Sequence, residues 1–145
     1  MSKRIRVAIL EASAEVHVAI AALLAAEPDV DVVRHARTAA ELAGLYDAGV
    51  DVLIADLGAL GRSDGELLQV LRSRCPHVRV VLITSGEDGE YRDAAARLPV
   101  DVWLPKTRLA ATTATVTSAA LFRRANLRKR YPTDGGHACT GSSAR

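Results

Sequence analysis

Five short runs of β-branched and aliphatic residues recur along the chain at intervals of roughly 20 to 25 residues, and helical patterns fill the gaps between them. The runs are Ile5–Leu10, Val30–Val33, Val50–Ala55, Val78–Ile83 and Val100–Leu104. The first, third and fourth are almost continuously apolar, as strands buried on both faces are. Val16, Ile20, Leu23 and Leu24 share a helical face behind Ser13, a residue suited to an N-cap, and Pro28 stops that helix. Glu41, Leu42 and Leu45 suit a second helix ending near Gly49, and Leu67, Leu68 and Leu71 a third ended by Pro76. Tyr91, Ala94, Ala95 and Leu98 mark a fourth, ended by Pro99. A fifth spans about 109–129, weakened by Thr112, Thr113, Thr115 and Thr117. Regular strand–helix alternation predicts an α/β fold, a parallel sheet with helices on both faces and right-handed crossovers.

Length and composition agree. A chain of 145 residues suits one ordinary domain, and 49% apolar with 25% charged residues is a globular balance. Aromatics are only 3%, so the core must be aliphatic. The longest apolar run, Val18 to Ala26, is short of the ~18 residues of a membrane span, and the start lacks a signal-peptide core. Cys75 and Cys139 give neither a disulfide framework nor a metal-site spacing. The expected setting is the cytoplasm. Through Phe122 there are 13 basic and 16 acidic residues, a net of −3; beyond it 6 and 1, a net of +5. The run Arg123–Arg130 holds five basic residues without aromatics, which suits a solvated helix end and argues against direct nucleic-acid binding. The expected division is a domain over 1–130 and a disordered tail over 131–145, which is rich in Gly, Ser and Thr.

In such sheets ligands sit beyond the carboxyl ends of the strands, where strand order reverses. Glu11-Ala12-Ser13 follows the first strand, Asp56 the third, Thr84-Ser85 the fourth and Pro105-Lys106 the fifth. Two carboxylates, a hydroxyl and an ammonium therefore meet on one edge. A carboxylate beside a lysine suits a nucleophile or metal ligand with its counter-ion. The remaining candidates look structural: His17 falls on the outer face of the first helix, and His35, His77 and His137 lack partners at metal spacing.

From Ile5 to Val116 the chain resembles the receiver domains of two-component response regulators, the chemotaxis-Y-like fold. It is most similar to receivers that precede a LuxR-type helix-turn-helix. The resemblance is carried by Ile5–Leu10, by Ala22-Leu23-Leu24-Ala25-Ala26-Glu27-Pro28-Asp29-Val30 and by Val50-Asp51-Val52-Leu53-Ile54-Ala55-Asp56-Leu57. Asp64-Gly65, Val80–Ser85 and Val102-Trp103-Leu104-Pro105-Lys106 add to it. It implies a flavodoxin-like sheet of five parallel strands in the order 2-1-3-4-5 with five helices.

It further implies that Asp56 accepts a phosphoryl group from a sensor histidine kinase or small phosphodonor, with Lys106 on the phosphoryl group. Thr84 and Trp103 would be the switch pair. Mg²⁺ would be held by Glu11, Asp56 and the Gly58 carbonyl. A downstream protein would bind the face of helix four, strand five and helix five, the face through which such receivers also form homodimers. The role is switching and binding rather than turnover.

Four positions depart from the pattern. Ala12 stands where the family has a second acid, usually the direct Mg²⁺ ligand, so the metal site should be weak. The loop Gly58–Gly65 is one residue longer than usual, Thr107 rather than proline follows Lys106, and Ser85 replaces a smaller residue. The chain continues past the receiver into the basic run rather than a helix-turn-helix, so the expectation is a stand-alone receiver in a phosphorelay. The alternatives are a pseudo-receiver adaptor that works without phosphorylation, and a small phosphohydrolase, which would also need a general acid and a substrate pocket.

Overall fold

The computed structural model describes residues 4–42, 49–61 and 64–117. Five strands, β1 (Ile5–Leu10), β2 (Val30–Ala36), β3 (Val52–Asp56), β4 (Arg79–Thr84) and β5 (Val102–Pro105), form one sheet in the order β2-β1-β3-β4-β5. Every pairing is parallel. The expected strand order and fold class are therefore observed. The last three strands start one or two residues later than their apolar runs and end one later. Val50 and Val78 instead lie buried on the approach to the sheet. Asp56 and Thr84 thus close their strands rather than follow them.

The period-two alternation of the strands splits the core. Ala8, Leu10, Leu53, Ala55, Val80 and Leu82 face one side, and Val7, Ile9, Val52, Ile54, Val81 and Ile83 the other. The first side is covered by Leu60 of the four-residue turn α2 (Leu57–Leu60), by Leu68 and Leu71 of α3 (Asp64–Arg74), and by Leu98 at the end of α4 (Gly89–Arg97). Cys75, at the end of α3, is buried there. The second side is covered by Ile20 and Leu24 of α1 (Ala14–Ala25) and by Val116.

Ser13 caps α1, its Oγ accepting the Val16 N–H at 3.3 Å. The expected apolar face of α1 is largely observed: Ile20 and Leu24 are fully buried and Val16 packs against them, while His17 joins the buried stripe and Val18 is 68% exposed. The expected second helix begins as a 3-10 turn, Ala39–Leu42, and its remainder, 43–48, lies outside the described residues. After β5 the chain makes a 3-10 segment, Lys106–Ala111, kinked at Arg108, and then a helix over 112–117. The Thr112 and Thr113 hydroxyls there donate to main-chain carbonyls of Leu109 and Leu23. The rest of the expected fifth helix and the expected tail lie outside the described residues. No helix among the described residues is long and apolar enough to cross a membrane.

At the amino edge of the sheet, aspartates supply what short strands lack. Asp51 Oδ2 accepts the Arg6 N–H at 2.9 Å, and Asp101 Oδ2 accepts the Val80 N–H at 2.8 Å. Each carboxylate extends the ladder where its own strand has not begun. Asp101 also binds the guanidinium of Arg72, and that of Arg79 at 2.6 Å. Arg72 in turn donates to the carbonyls of Val78 and Pro99. Replacing Asp101 leaves a strand amide and two guanidinium groups short of an acceptor. Asp101→Ala is expected to lower stability by about 2 kcal/mol, read as the urea midpoint. Chemistry at the opposite edge should persist in the folded fraction.

Candidate functional site

The carboxyl edge gathers the predicted groups. Asp56 ends β3 and Glu11 follows β1. Both are buried, at 5% and 0% exposure, so their charges need partners. The partner is Lys106, the first residue after β5. Its Nζ lies 3.0 Å from Asp56 Oδ1 and 3.1 Å from Glu11 Oε1, and it donates to Glu11 Oε2 at 3.3 Å. Lys106 is 95 and 50 positions from Glu11 and Asp56 in sequence, and the three meet because the parallel strands β1, β3 and β5 end at the same edge of the sheet.

The other carboxylate oxygens are held by main chain. Asp56 Oδ2 accepts the Ala59 N–H at 3.1 Å and so caps the short turn α2. Glu11 Oε2 accepts the Ser13 N–H at 2.8 Å. Glu11 Oε1 is buried and receives no aligned hydrogen bond, only the ion-pair contact with Lys106. Gly58 is exposed and close to Asp56: a Cβ built on it would lie 3.4 Å from Asp56 Oδ2. The Gly58 carbonyl accepts the Gly61 N–H at 3.3 Å, and Gly61 adopts a positive φ of 78° to close that turn.

Thr84 ends β4 and is fully buried. Its hydroxyl donates to the Gly86 carbonyl at 2.7 Å and accepts from the Trp103 indole N–H at 2.8 Å. Ser85 is exposed. Ala12 is exposed too, and its carbonyl accepts two hydrogen bonds from the Arg37 guanidinium, at 2.7 and 3.2 Å. Among the described residues no three His, Cys, Asp or Glu side chains cluster as a metal site. Of the groups expected from sequence, the edge brings together the Glu11 and Asp56 carboxylates, the Lys106 ammonium and the Thr84 hydroxyl.

All the predicted side chains lie at this edge: Lys106 joins Glu11 to Asp56, and Thr84 binds Trp103. The structure corrects the reading of His17, which is buried, not on an outer face. Its Nδ1 is 3.2 Å from the Glu11 carbonyl and its Nε2 is 2.9 Å from His35 Nδ1. The ring centroids are 5.1 Å apart, about what two rings joined end to end through a 2.9 Å contact would give, so the pair is hydrogen-bonded rather than face to face. Burial first, and then the neighbouring His17, push the His35 pKa below the ordinary histidine value. The role of Arg37 was also not read from sequence.

Comparison with known proteins places the fold. No protein-family model and no curated protein matches the sequence. Solved structures do match. A CheY-like response regulator receiver domain protein from Methanospirillum hungatei aligns with a TM-score of 0.72 at 16% identity, over 86% of this chain and 99% of that one. A LuxR-family two-component response regulator from an Aurantimonas species gives 0.72 at 19%, over 83% and 88%. The isolated receiver domain of RcsB from Salmonella enterica, solved with the phosphomimetic BeF3−, gives 0.70 at 19%, over 83% and 90%. The chain therefore has the fold of response-regulator receiver domains, the CheY-like variant of the flavodoxin fold.

Burial alone would lower the Lys106 pKa. Hydrogen bonds to Asp56 and then Glu11, and the charges of both, outweigh burial and raise it above 10.5. A cation whose folded pKa is raised stabilises fully below its unfolded value, and that contribution disappears as pH rises through the folded value. The pair should therefore be insensitive to pH near neutrality and weaken only above 10.5. In urea unfolding from about pH 9 to about pH 12, wild type should lose more stability than Lys106→Met. Equal losses would contradict the charge assignment.

Proposed function

We propose that this chain is a signalling receiver that accepts a phosphoryl group on Asp56 and presents the change to a protein partner. The observation that carries the reading is the Lys106 ammonium 3.0 Å from Asp56 Oδ1, at the carboxyl edge of a receiver-type sheet. A carboxylate attacking a phosphoryl group brings two anions together, and a fixed cation beside the nucleophile offsets their repulsion. Asp56 Oδ1 forms the new O–P bond, and the bond from phosphorus to the donor's leaving atom breaks. The product is an acyl phosphate. The donor is a phosphohistidine on a sensor kinase or a small acyl phosphate. Once the Asp56 charge is spread over the phosphoryl oxygens, Lys106 remains their counter-ion and Thr84 their nearest hydroxyl donor.

The donor set fits a weakly held Mg²⁺. The buried, unsatisfied Glu11 Oε1 is an oxygen ligand without a donor, and Mg²⁺ commonly keeps most of its waters while taking one or two carboxylates. Glu11, Asp56 and the Gly58 carbonyl would hold it, and it would supply charge neutralisation at the phosphoryl oxygens. Ala12 brings only a methyl group, and its carbonyl is engaged by Arg37. That observation favours a second reading, an adaptor that binds its partner without phosphorylation.

A phosphoryl group adds about −1.5 to −2 charge to an edge where one ammonium already balances two carboxylates, enough to bias a two-state surface. The surface proposed to respond is α4, β5 and the helical segment after it, which a downstream protein or a second copy would bind. The protein then acts by binding rather than turnover.

Intact mass after incubation with acetyl phosphate and Mg²⁺ tests the reading. One added phosphoryl group in wild type and none in Asp56→Asn is expected. No uptake at high Mg²⁺ would leave the adaptor reading, and uptake by the variant would place the acceptor elsewhere.

A further inference from the structure

Arg37 is the first residue after β2, at the same carboxyl edge as Glu11 and Asp56. Its exposed guanidinium forms no ion pair among the described residues. Nε and Nη2 both donate to the Ala12 carbonyl, at 3.2 and 2.7 Å. The nearest acid in sequence, Glu41, spends Oε1 on the Arg37 main-chain N–H at 2.7 Å. A guanidinium has five N–H donors, so three are left without an acceptor among the described residues. The register shows where this charge stands. β1 pairs with β3 with Leu10 opposite Ala55, so Glu11 comes next to Asp56 and Ala12 is one residue beyond. The guanidinium is therefore fixed at the end of β1, one strand spacing, about 5 Å, from the line of β3. Glu11 and Asp56 bring two negative charges to this edge against one positive charge on Lys106, and Arg37 brings the second.

We propose that Arg37 is a second cation of the phosphoryl site: it receives the phosphoryl donor at the Ala12 corner and supplies charge that Mg²⁺ would otherwise bring. This rests on the reading of Asp56 as the phosphoryl acceptor and adds no bond-making step to it. The ligand class is a phosphoryl oxyanion, which the planar guanidinium matches with paired N–H donors. A carboxylate at position 12 would draw a metal ion to this corner. A methyl group with an arginine on its own carbonyl draws an anion instead. In the strand order β2-β1-β3-β4-β5 the two cations flank Asp56 from opposite sides, Lys106 from β5 and Arg37 from β2. The guanidinium is always charged, so it acts whether or not a metal ion is bound. A Mg²⁺ ion at Glu11, Asp56 and the Gly58 carbonyl would be repelled by it, so the same residue weakens the metal site whose work it shares.

The test compares phosphoryl uptake from acetyl phosphate, read as intact mass, by wild type, Arg37→Lys and Arg37→Gln, in metal-free buffer and at high Mg²⁺. Without metal, wild type should be labelled and Arg37→Gln about tenfold more slowly, the worth of one hydrogen bond to a charged group. Arg37→Lys, which keeps the charge, should fall between them. High Mg²⁺ should return Arg37→Gln to the wild-type rate, because a bound ion replaces a lost charge but not a lost loop contact. In Mg²⁺ titrations followed by the NMR amide signals of residues 11–13 and 58, Arg37→Gln should bind about fivefold more tightly, as Coulomb's law gives for a divalent ion roughly 8 Å from a unit charge in water. Equal metal-free rates for wild type and Arg37→Gln, or wild type labelled only with Mg²⁺, would overturn the role of Arg37 while leaving Asp56 as acceptor. A slow Arg37→Gln that Mg²⁺ does not restore, with unchanged Mg²⁺ affinity, would overturn it in favour of a brace for the loop after β1. No labelling of wild type under either condition would overturn the acceptor reading and this one together.

Discussion

One ammonium group holds the carboxyl edge of this sheet together. Lys106 touches Glu11 and Asp56, two carboxylates that are almost completely removed from water. Burying two carboxylates side by side without a cation would be costly. Lys106 pairs with both and fixes an Asp56 oxygen that is largely removed from water. The rest of the site follows from that constraint. The Asp56 oxygen not on Lys106 caps α2, the Glu11 oxygen on the Ser13 amide sets the start of α1, and Thr84 is tied to β5 through Trp103.

The two edges of the sheet use carboxylates in opposite ways. At the amino edge Asp51 and Asp101 each accept a strand amide, with two arginines adding to Asp101, and their role is to complete short strands. At the carboxyl edge Glu11 keeps one oxygen without an aligned donor, and the cation beside it has a single positive charge for two carboxylates. Carboxylates bound to strand amides serve stability. The unsatisfied ones lie where strand order makes room for a ligand. The same contrast separates stability from chemistry: loss of Asp101 unpins a sheet edge far from Asp56, while loss of Lys106 strikes both.

The fold was legible because burial on both faces leaves unbroken apolar runs rich in β-branched residues, as in Val52–Ala55 and Val80–Ile83, whereas the apolar run of α1 is mostly Ala and Leu. The site residues were legible for the related reason that strand ends point to one edge. What failed was detail. In α1 nearly every residue is apolar or small, so hydrophobicity placed Val16, Ile20 and Leu24 toward the core but did not reveal that His17 is buried with them. The α2 turn was missed because Gly58 and Gly61 read as loop, whereas the Asp56 side chain supplies the cap that makes a turn. The Trp103–Thr84 bond depends on where an indole N–H points across two strands, which spacing does not encode. Arg37 binds a carbonyl, Ala12, whose side chain drew attention only for what it lacks.

The central claim is that Asp56 presents an ionised oxygen, backed by Lys106, to a phosphoryl group. Beryllium fluoride binds carboxylates poised in this way as a phosphoryl mimic, so the most direct measurement is ¹⁹F NMR of the protein with beryllium fluoride and Mg²⁺. The account predicts slowly exchanging bound fluorine signals for wild type and none for Asp56→Asn. Wild type without bound signals, or signals that survive in the variant, would contradict it.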